Sequence, residues 1–287
     1  MMSRRSVLSA AALSSLAAAC SPLSALNGLN RLTPGDGGVA RVVNGAAFGS
    51  DPRLRLDVWA PRRVTAKLPV IVFFYGGSWN SGNRDGYGFV AKALAAKGFV
   101  VVVPDYRLVP QVRWPAFVED GAAAMTWVTA NIARHGGDPA RMAVMGHSAG
   151  AHIALLLALD RRWGAADGIR AAVGLAGPTD FLPFVTGGAA DAALGNATEL
   201  ADTQPIHFAR KDAPPLLLLH GETDTTVLPR NSVRLANAVT DLGGRAEVRI
   251  YPDIGHIGIL LALSKPFRGK ARALTDASNF LLAALTP

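Results

Sequence analysis

Two runs of consecutive apolar, largely β-branched or aromatic residues, at 70–75 and 99–103, most restrict what this chain can fold into. A run of five or six such residues with no polar alternation is buried on both faces, which is the condition of a central strand in a parallel sheet. Shorter apolar runs recur at 142–145, 171–175 and 216–219, 247–251 reads as a further strand, and 54–59 alternates apolar with polar residues. Between them lie segments with helical spacing at 88–97, 117–135, 149–159, 231–242 and 271–285. Strands alternating with helices predict an α/β fold, with a mostly parallel central sheet and helices on both faces. The longest stretch without this alternation is 177–213, room for rim helices or a small lid but not for a large cap.

One pentapeptide then assigns chemistry. Gly146-His147-Ser148-Ala149-Gly150 lies between an expected strand and an expected helix, the context required of a G-x-S-x-G nucleophile elbow. A serine hydroxyl is a weak nucleophile at neutral pH and needs a base. Where such an elbow sits in an α/β sheet, its partners follow in the order Ser, acid, His. His256 lies in a loop beyond the strand at 247–251 and is the expected base. His220-Gly221-Glu222-Thr223-Asp224 offers two carboxylates, of which Asp224 fits the acid and Glu222 is the fallback. His147, His152 and His220 read as structural, His207 as a rim residue and His135 as a helix-end residue. Ala149, next after Ser148, is placed to give one backbone N–H to an oxyanion hole. The loop Tyr75-Gly76-Gly77-Ser78-Trp79 is placed to give the other, its glycines allowing close backbone approach.

With Asp105-Tyr106-Arg107-Leu108 and Gly136-Gly137-Asp138-Pro139, these motifs resemble a known family over about residues 54–285. It is the bacterial α/β-hydrolases of the carboxylesterase and hormone-sensitive-lipase-like group, nearest to the bifunctional feruloyl and acetyl-xylan esterases. The resemblance implies an α/β-hydrolase fold and a serine esterase acting on short-acyl, aryl, feruloyl or acetyl esters, with no cofactor and no metal. It also implies Gly77 and Ser78 as the oxyanion N–H donors. The family's usual H-G-G-G-W is altered here: Tyr75 stands for the His and Ser78 for the third Gly. A positive φ at Ser78 would be strained by its β-carbon, and its hydroxyl is a candidate extra donor. Trp79, Trp114, Phe181 and Phe184 are candidates to shape the substrate pocket, Trp79 first because it adjoins the oxyanion loop. The same fold hosts aryl formamidases and small peptidases, and a tethered binding protein without activity is the distant alternative.

The formal net charge is +8, from 29 Lys and Arg against 21 Asp and Glu, but the basic residues are scattered. That argues against a nucleic-acid partner, which needs a concentrated patch. The expected partner is a small-molecule ester; the sequence leaves the oligomeric state open. Residues 1–20 read as an export signal, with Arg4-Arg5 like a twin-arginine start before a short apolar core. Cys20, the only cysteine, closes Leu16-Ala17-Ala18-Ala19-Cys20, which resembles a lipoprotein box. The expectations are lipidation at Cys20, a periplasmic or membrane-anchored protein whose only membrane contact is that lipid, a poorly ordered tether at 21–38, and a catalytic domain at 39–287.

Overall fold

The computed structural model describes residues 22–286. Eight strands form one sheet in the order β1-β2-β4-β3-β5-β6-β7-β8. β1 (Val39–Ala47) and β2 (Arg55–Pro61) join antiparallel, and β2 pairs antiparallel with β4 (Val100–Pro104). From β4 onward every pairing is parallel, through β3 (Leu68–Phe74), β5 (Gly137–His147), β6 (Ile169–Leu175), β7 (Leu216–Gly221) and β8 (Ala246–Tyr251). The two unbroken apolar runs of the sequence are β3 and β4, adjacent at the centre of the sheet and fully buried from Val70 to Phe74 and from Val100 to Val103. β8 is an edge strand with alternating exposure, and Glu247 and Arg249 on it supply charges of the kind that discourage edge-to-edge pairing.

Helices cover both faces, as the apolar strands require. α2 (Gly88–Ala95) packs with α8 (Ala273–Leu285) on one face. α3 (Ala116–Asn131) packs with α4 (Ala149–Leu159) on the other. Every residue of α4 is buried, which explains why its sequence lacks a polar side. α6 (Arg230–Asp241) flanks β7 and β8 and is strongly amphipathic. The segment 177–213 holds one short helix, α5 (Ala189–Leu194), and single helical turns, with no large cap.

Two parts of the N-terminal region differ from expectation. Residues 21–38, expected to be a poorly ordered tether, contain a docked helix, α1 (Pro22–Leu32). Leu26 and Asn30, four residues apart, face the protein and are buried. The Asn27 amide donates to Gly86 O at 2.9 Å, Lys265 N donates to Asn30 Oδ1 at 2.8 Å, and Asp36 pairs with Arg268 at 2.8 Å. Asn27 and Asn30, part of a composition that reads as a linker, supply side-chain hydrogen bonds instead. β1 is also unheralded in the sequence, being an edge strand with two register shifts and a left-handed Gly45. Residues 1–20, with the expected export signal and Cys20, lie outside the described residues.

Candidate active site

Ser148 sits between β5 and α4 with φ 54° and ψ −123°, a conformation that costs on the order of 1–3 kcal/mol for a residue with a β-carbon. The surroundings hold it there. Ser148 N donates to Leu175 O at 2.9 Å, and Ser148 O accepts from His152 N at 3.1 Å. The glycines of the motif are there for space: a β-carbon on Gly146 would come within 2.3 Å of Gly150 O, and one on Gly150 within 2.2 Å of Phe74 O. The turn can be this tight only because both positions lack one.

His256 opens α7 (His256–Leu261), in the loop after β8. Its Nε2 lies 2.8 Å from Ser148 Oγ and its Nδ1 2.7 Å from Asp224 Oδ2. A carboxylate accepts only, so Nδ1 carries the proton and Nε2 is left to accept from the serine hydroxyl. Asp224 follows β7 and is 2% exposed, yet its charge is well satisfied. Thr226 and Val227 N–H groups both donate to its Oδ1 at 2.9 Å, and His220 Nε2 lies 3.2 Å from Oδ2. Glu222 is exposed and has no part in this network. The structure thus brings Ser148, His256 and Asp224 into one hydrogen-bonded line. A hydroxyl so placed can pass its proton to the imidazole as its oxygen attacks an electrophile.

The loop after β3 runs through three consecutive positive-φ residues: Gly77 at 134°, Ser78 at 51° and Trp79 at 58°. Gly77 O closes the turn by accepting from Asn80 N and Ser81 N at 3.0 Å. A β-carbon on Gly76 would meet Ser148 Cβ at 3.1 Å, so this loop lies directly against the elbow. Among the described residues, the N–H groups of Gly77, Ser78 and Ala149 have no protein acceptor. Ser78 is exposed, and its strained φ is the cost anticipated from its β-carbon. Tyr75, in place of the family's His, anchors the loop from below. Its ring stacks between Tyr87 and Tyr106, and its hydroxyl donates to Asp105 Oδ1 at 2.8 Å. Asp105 also accepts from Arg84, and Tyr87 Oη donates to Gly76 O at 3.1 Å. No spacing in the sequence pointed to Tyr87, nor to the Thr226 and Val227 N–H groups.

Trp79 is 5% exposed and stacks on Phe181, which packs on Phe184. His152 meets Trp79 edge-on at 5.2 Å, and its Nε2 lies 2.7 Å from Thr203 O. Trp114 packs against Phe117, His152 and Trp163, one layer back. His207 is exposed and His135 stacks on Trp127, both apart from the Ser148 network. Among the described residues no group of three or more His, Cys, Asp or Glu is placed to hold a metal, and no helix is long and apolar enough to cross a membrane.

The BD-FAE family model matches residues 56–239, more than half of the chain, from β2 into α6. The chain belongs to the BD-FAE family. Esterase LipC of Mycobacterium tuberculosis is 33% identical over 203 residues, covering 63% of this chain and 50% of LipC. The isoprenylcysteine alpha-carbonyl methylesterase ICME of Arabidopsis thaliana is 29% identical over 255 residues, covering 80% and 59%. The chain therefore spans little more than half the length of these relatives. Among solved structures, a truncated carbohydrate esterase from gut microbiota superposes with a TM-score of 0.77 at 21% identity, covering 89% of this chain and all of that one. A Pyrobaculum calidifontis esterase superposes at 0.76 with 22% identity, covering 92% and 91%. At such identities the superpositions establish the fold, which is that of the α/β-hydrolases.

Proposed function

We propose that this BD-FAE family member is a serine esterase. The observation that carries the reading is the unbroken line Asp224–His256–Ser148, at 2.7 and 2.8 Å, on a strained elbow beside three unpaired backbone N–H groups. Ser148 Oγ attacks the ester carbonyl carbon while His256 Nε2 takes its proton, and Asp224 stabilises the imidazolium. The carbonyl oxygen becomes an oxyanion facing the N–H groups of Gly77, Ser78 and Ala149. As the C–O bond breaks, His256 returns the proton to the leaving alcohol. Water then attacks the acyl-serine with His256 again as base, releasing the acid and restoring Ser148. None of these steps requires a metal or an organic cofactor. The names of LipC, ICME and the carbohydrate esterase support an ester as substrate. The Trp79, Phe181 and Phe184 row favours a short acyl or aryl group.

The test is hydrolysis of p-nitrophenyl esters of graded chain length by the wild type and by Ser148→Ala. Acetate and butyrate should turn over, and the variant should lose on the order of 10⁴-fold or more. A folded wild type inert to every ester and unlabelled by a fluorophosphonate would overturn the reading. Export and a lipid on Cys20 belong to the same proposal, supported by the Arg4-Arg5 start and the Ala-rich run before the cysteine. Fatty-acid label that persists in Cys20→Ala would remove the lipid.

A further inference from the structure

A cavity of about 910 Å³ lies between α1, the turn Arg84–Tyr87 and α2. Its wall includes Gly76 and Gly77, whose loop packs against Ser148. The cavity therefore borders the oxyanion loop, and none of Trp79, Phe181 and Phe184 lines it.

Its lining is unbalanced in charge. Arg31, Arg41 and Lys92 line it against one carboxylate, Asp85. Arg41 is neutralised by Asp57 and Asp85 at 3.0 and 2.9 Å. Among the described residues neither Lys92 nor Arg31 has a carboxylate partner. Asp36, the carboxylate nearest in effect to Lys92, is committed to Arg268 through two hydrogen bonds. Lys92 is held in place by Trp59, its Nζ 5.3 Å from the ring centroid, with Arg41 5.6 Å from the same ring. Partial burial, and then the neighbouring cations Arg31, Lys265 and Arg41, lower the Lys92 pKa. Like charges gathered without a counterion are unfavourable until an anion joins them.

A second feature is independent of charge. Asn30 is 4% exposed and also lines the cavity. Its Oδ1 accepts from Lys265 N, and among the described residues its amide nitrogen has no acceptor. That nitrogen is placed to donate to a ligand in the cavity.

We propose that this cavity is a subsite for a small molecule bearing a compact oxyanion, a carboxylate or a phosphate, held by Lys92, Arg31 and the Asn30 amide. Within the esterase reading, on which this extension rests, a carboxylate on the substrate's own leaving or acyl part enters here while the ester lies at Ser148. A free anion bound here would instead act on the oxyanion loop through Gly76 and Gly77.

The experiment uses the full chain and the double variant Lys92→Gln with Arg31→Gln, neither residue belonging to the Ser148 network. Succinate and inorganic phosphate are titrated by calorimetry and by thermal shift, against sodium chloride of equal ionic strength. Kinetics compare neutral p-nitrophenyl butyrate with the anionic p-nitrophenyl hemisuccinate. At least one anion should bind the wild type and lose about tenfold or more affinity in the variant. A matching loss of kcat/KM confined to the hemisuccinate identifies the ligand as part of the substrate. Lost binding with unchanged ester preference identifies a free ion. No binding beyond the chloride control, or equal binding by a variant that melts like the wild type, overturns the subsite. Ester turnover without anion binding would leave the esterase reading intact, whereas anion binding without turnover would leave only the subsite.

Discussion

The His147 side chain is tied to the main chain of His256: its Nε2 lies 3.0 Å from the His256 carbonyl oxygen, and the two rings stand 5.0 Å apart. The residue before Ser148 thus holds the loop that carries the base. For Nε2 to donate it must carry the proton, as it does in the neutral Nε2–H tautomer or in the imidazolium. Burial, with the nearby His256, lowers the His147 pKa to about 3, so it stays neutral and adds no positive charge beside the imidazolium. Replacing His147 by Phe removes the tie but keeps the ring volume. The expected result is a fall in kcat of about tenfold, equivalent to one hydrogen bond, with KM nearly unchanged. His147→Gln, which retains an N–H at similar reach, should recover most of the rate. A purely structural role would give no such rescue.

The two carboxylates after β7 separate sharply in the structure. Asp224 accepts from His256 and from two backbone N–H groups, whereas Glu222 is exposed. Asparagine at 224 can present its NH₂ where a carboxylate oxygen must accept, favouring the wrong imidazole tautomer. Asp224→Asn should lower kcat by about 10³- to 10⁴-fold; the chymotrypsin-type triad, the standard example of this effect, loses ~10⁴. Glu222→Gln should stay within about twofold of wild type. Steady-state kinetics on one ester with both variants decides the assignment, and the reverse pattern would move the acid to Glu222.

The elbow and the central strands were legible because each follows from local pattern alone: unbroken apolar runs at 70–75 and 99–103, and a G-x-S-x-G between strand and helix. The helical spacing predicts a helix over 117–135, and the structure ends the α-helix at Asn131 before a 3-10 turn, Ile132–His135. What was not legible depends on contacts distant in sequence. α1 carries leucines at 23, 26, 29 and 32 interleaved with Ser, Asn and Gly, and it is fixed by contacts with Gly86 and Lys265, so its local composition reads as linker. Tyr75 in place of His makes sense only once Asp105 lies beneath it. The Trp79–Phe181 stack joins residues a hundred positions apart, and no periodicity announces it.

Ser78 presents its backbone through a left-handed conformation, φ 51°, while its hydroxyl makes no hydrogen bond among the described residues. The main chain, rather than the side chain, is then the working part. Ser78→Ala should retain turnover within about twofold, because it changes neither the β-carbon nor the N–H. Ser78→Gly removes the strain of roughly 1–2 kcal/mol but adds unfolded-state entropy of about 0.5–1 kcal/mol, so a net gain of a few tenths to 1 kcal/mol is expected in urea unfolding. A large loss of kcat in Ser78→Ala would instead assign the hydroxyl a place in the oxyanion hole.

Three buried histidines set a pH dependence of stability whose direction follows from their shifts. Burial lowers His147 to about 3 and His152 to about 4, and it also lowers His220. The unfolded chain binds a proton at each near pH 6.5, while the folded chain does not until the pH falls well below that. Between about pH 6.5 and 4 the unfolded state therefore holds more protons, and acidification destabilises the fold. Each such histidine contributes up to about 1.4 kcal/mol per pH unit in that window. Carboxylates lowered by arginines, such as Asp138 beside Arg141, act in the same sense but below it. Urea unfolding of wild type at pH 7.5, 6 and 5 should show stability falling steeply across the lower interval. His152→Gln should be less stable at pH 7.5, having lost a buried ring, yet show a shallower slope by about one proton. An unchanged slope would mean that His152 takes up its proton without unfolding, through rearrangement at its unpartnered Nδ1.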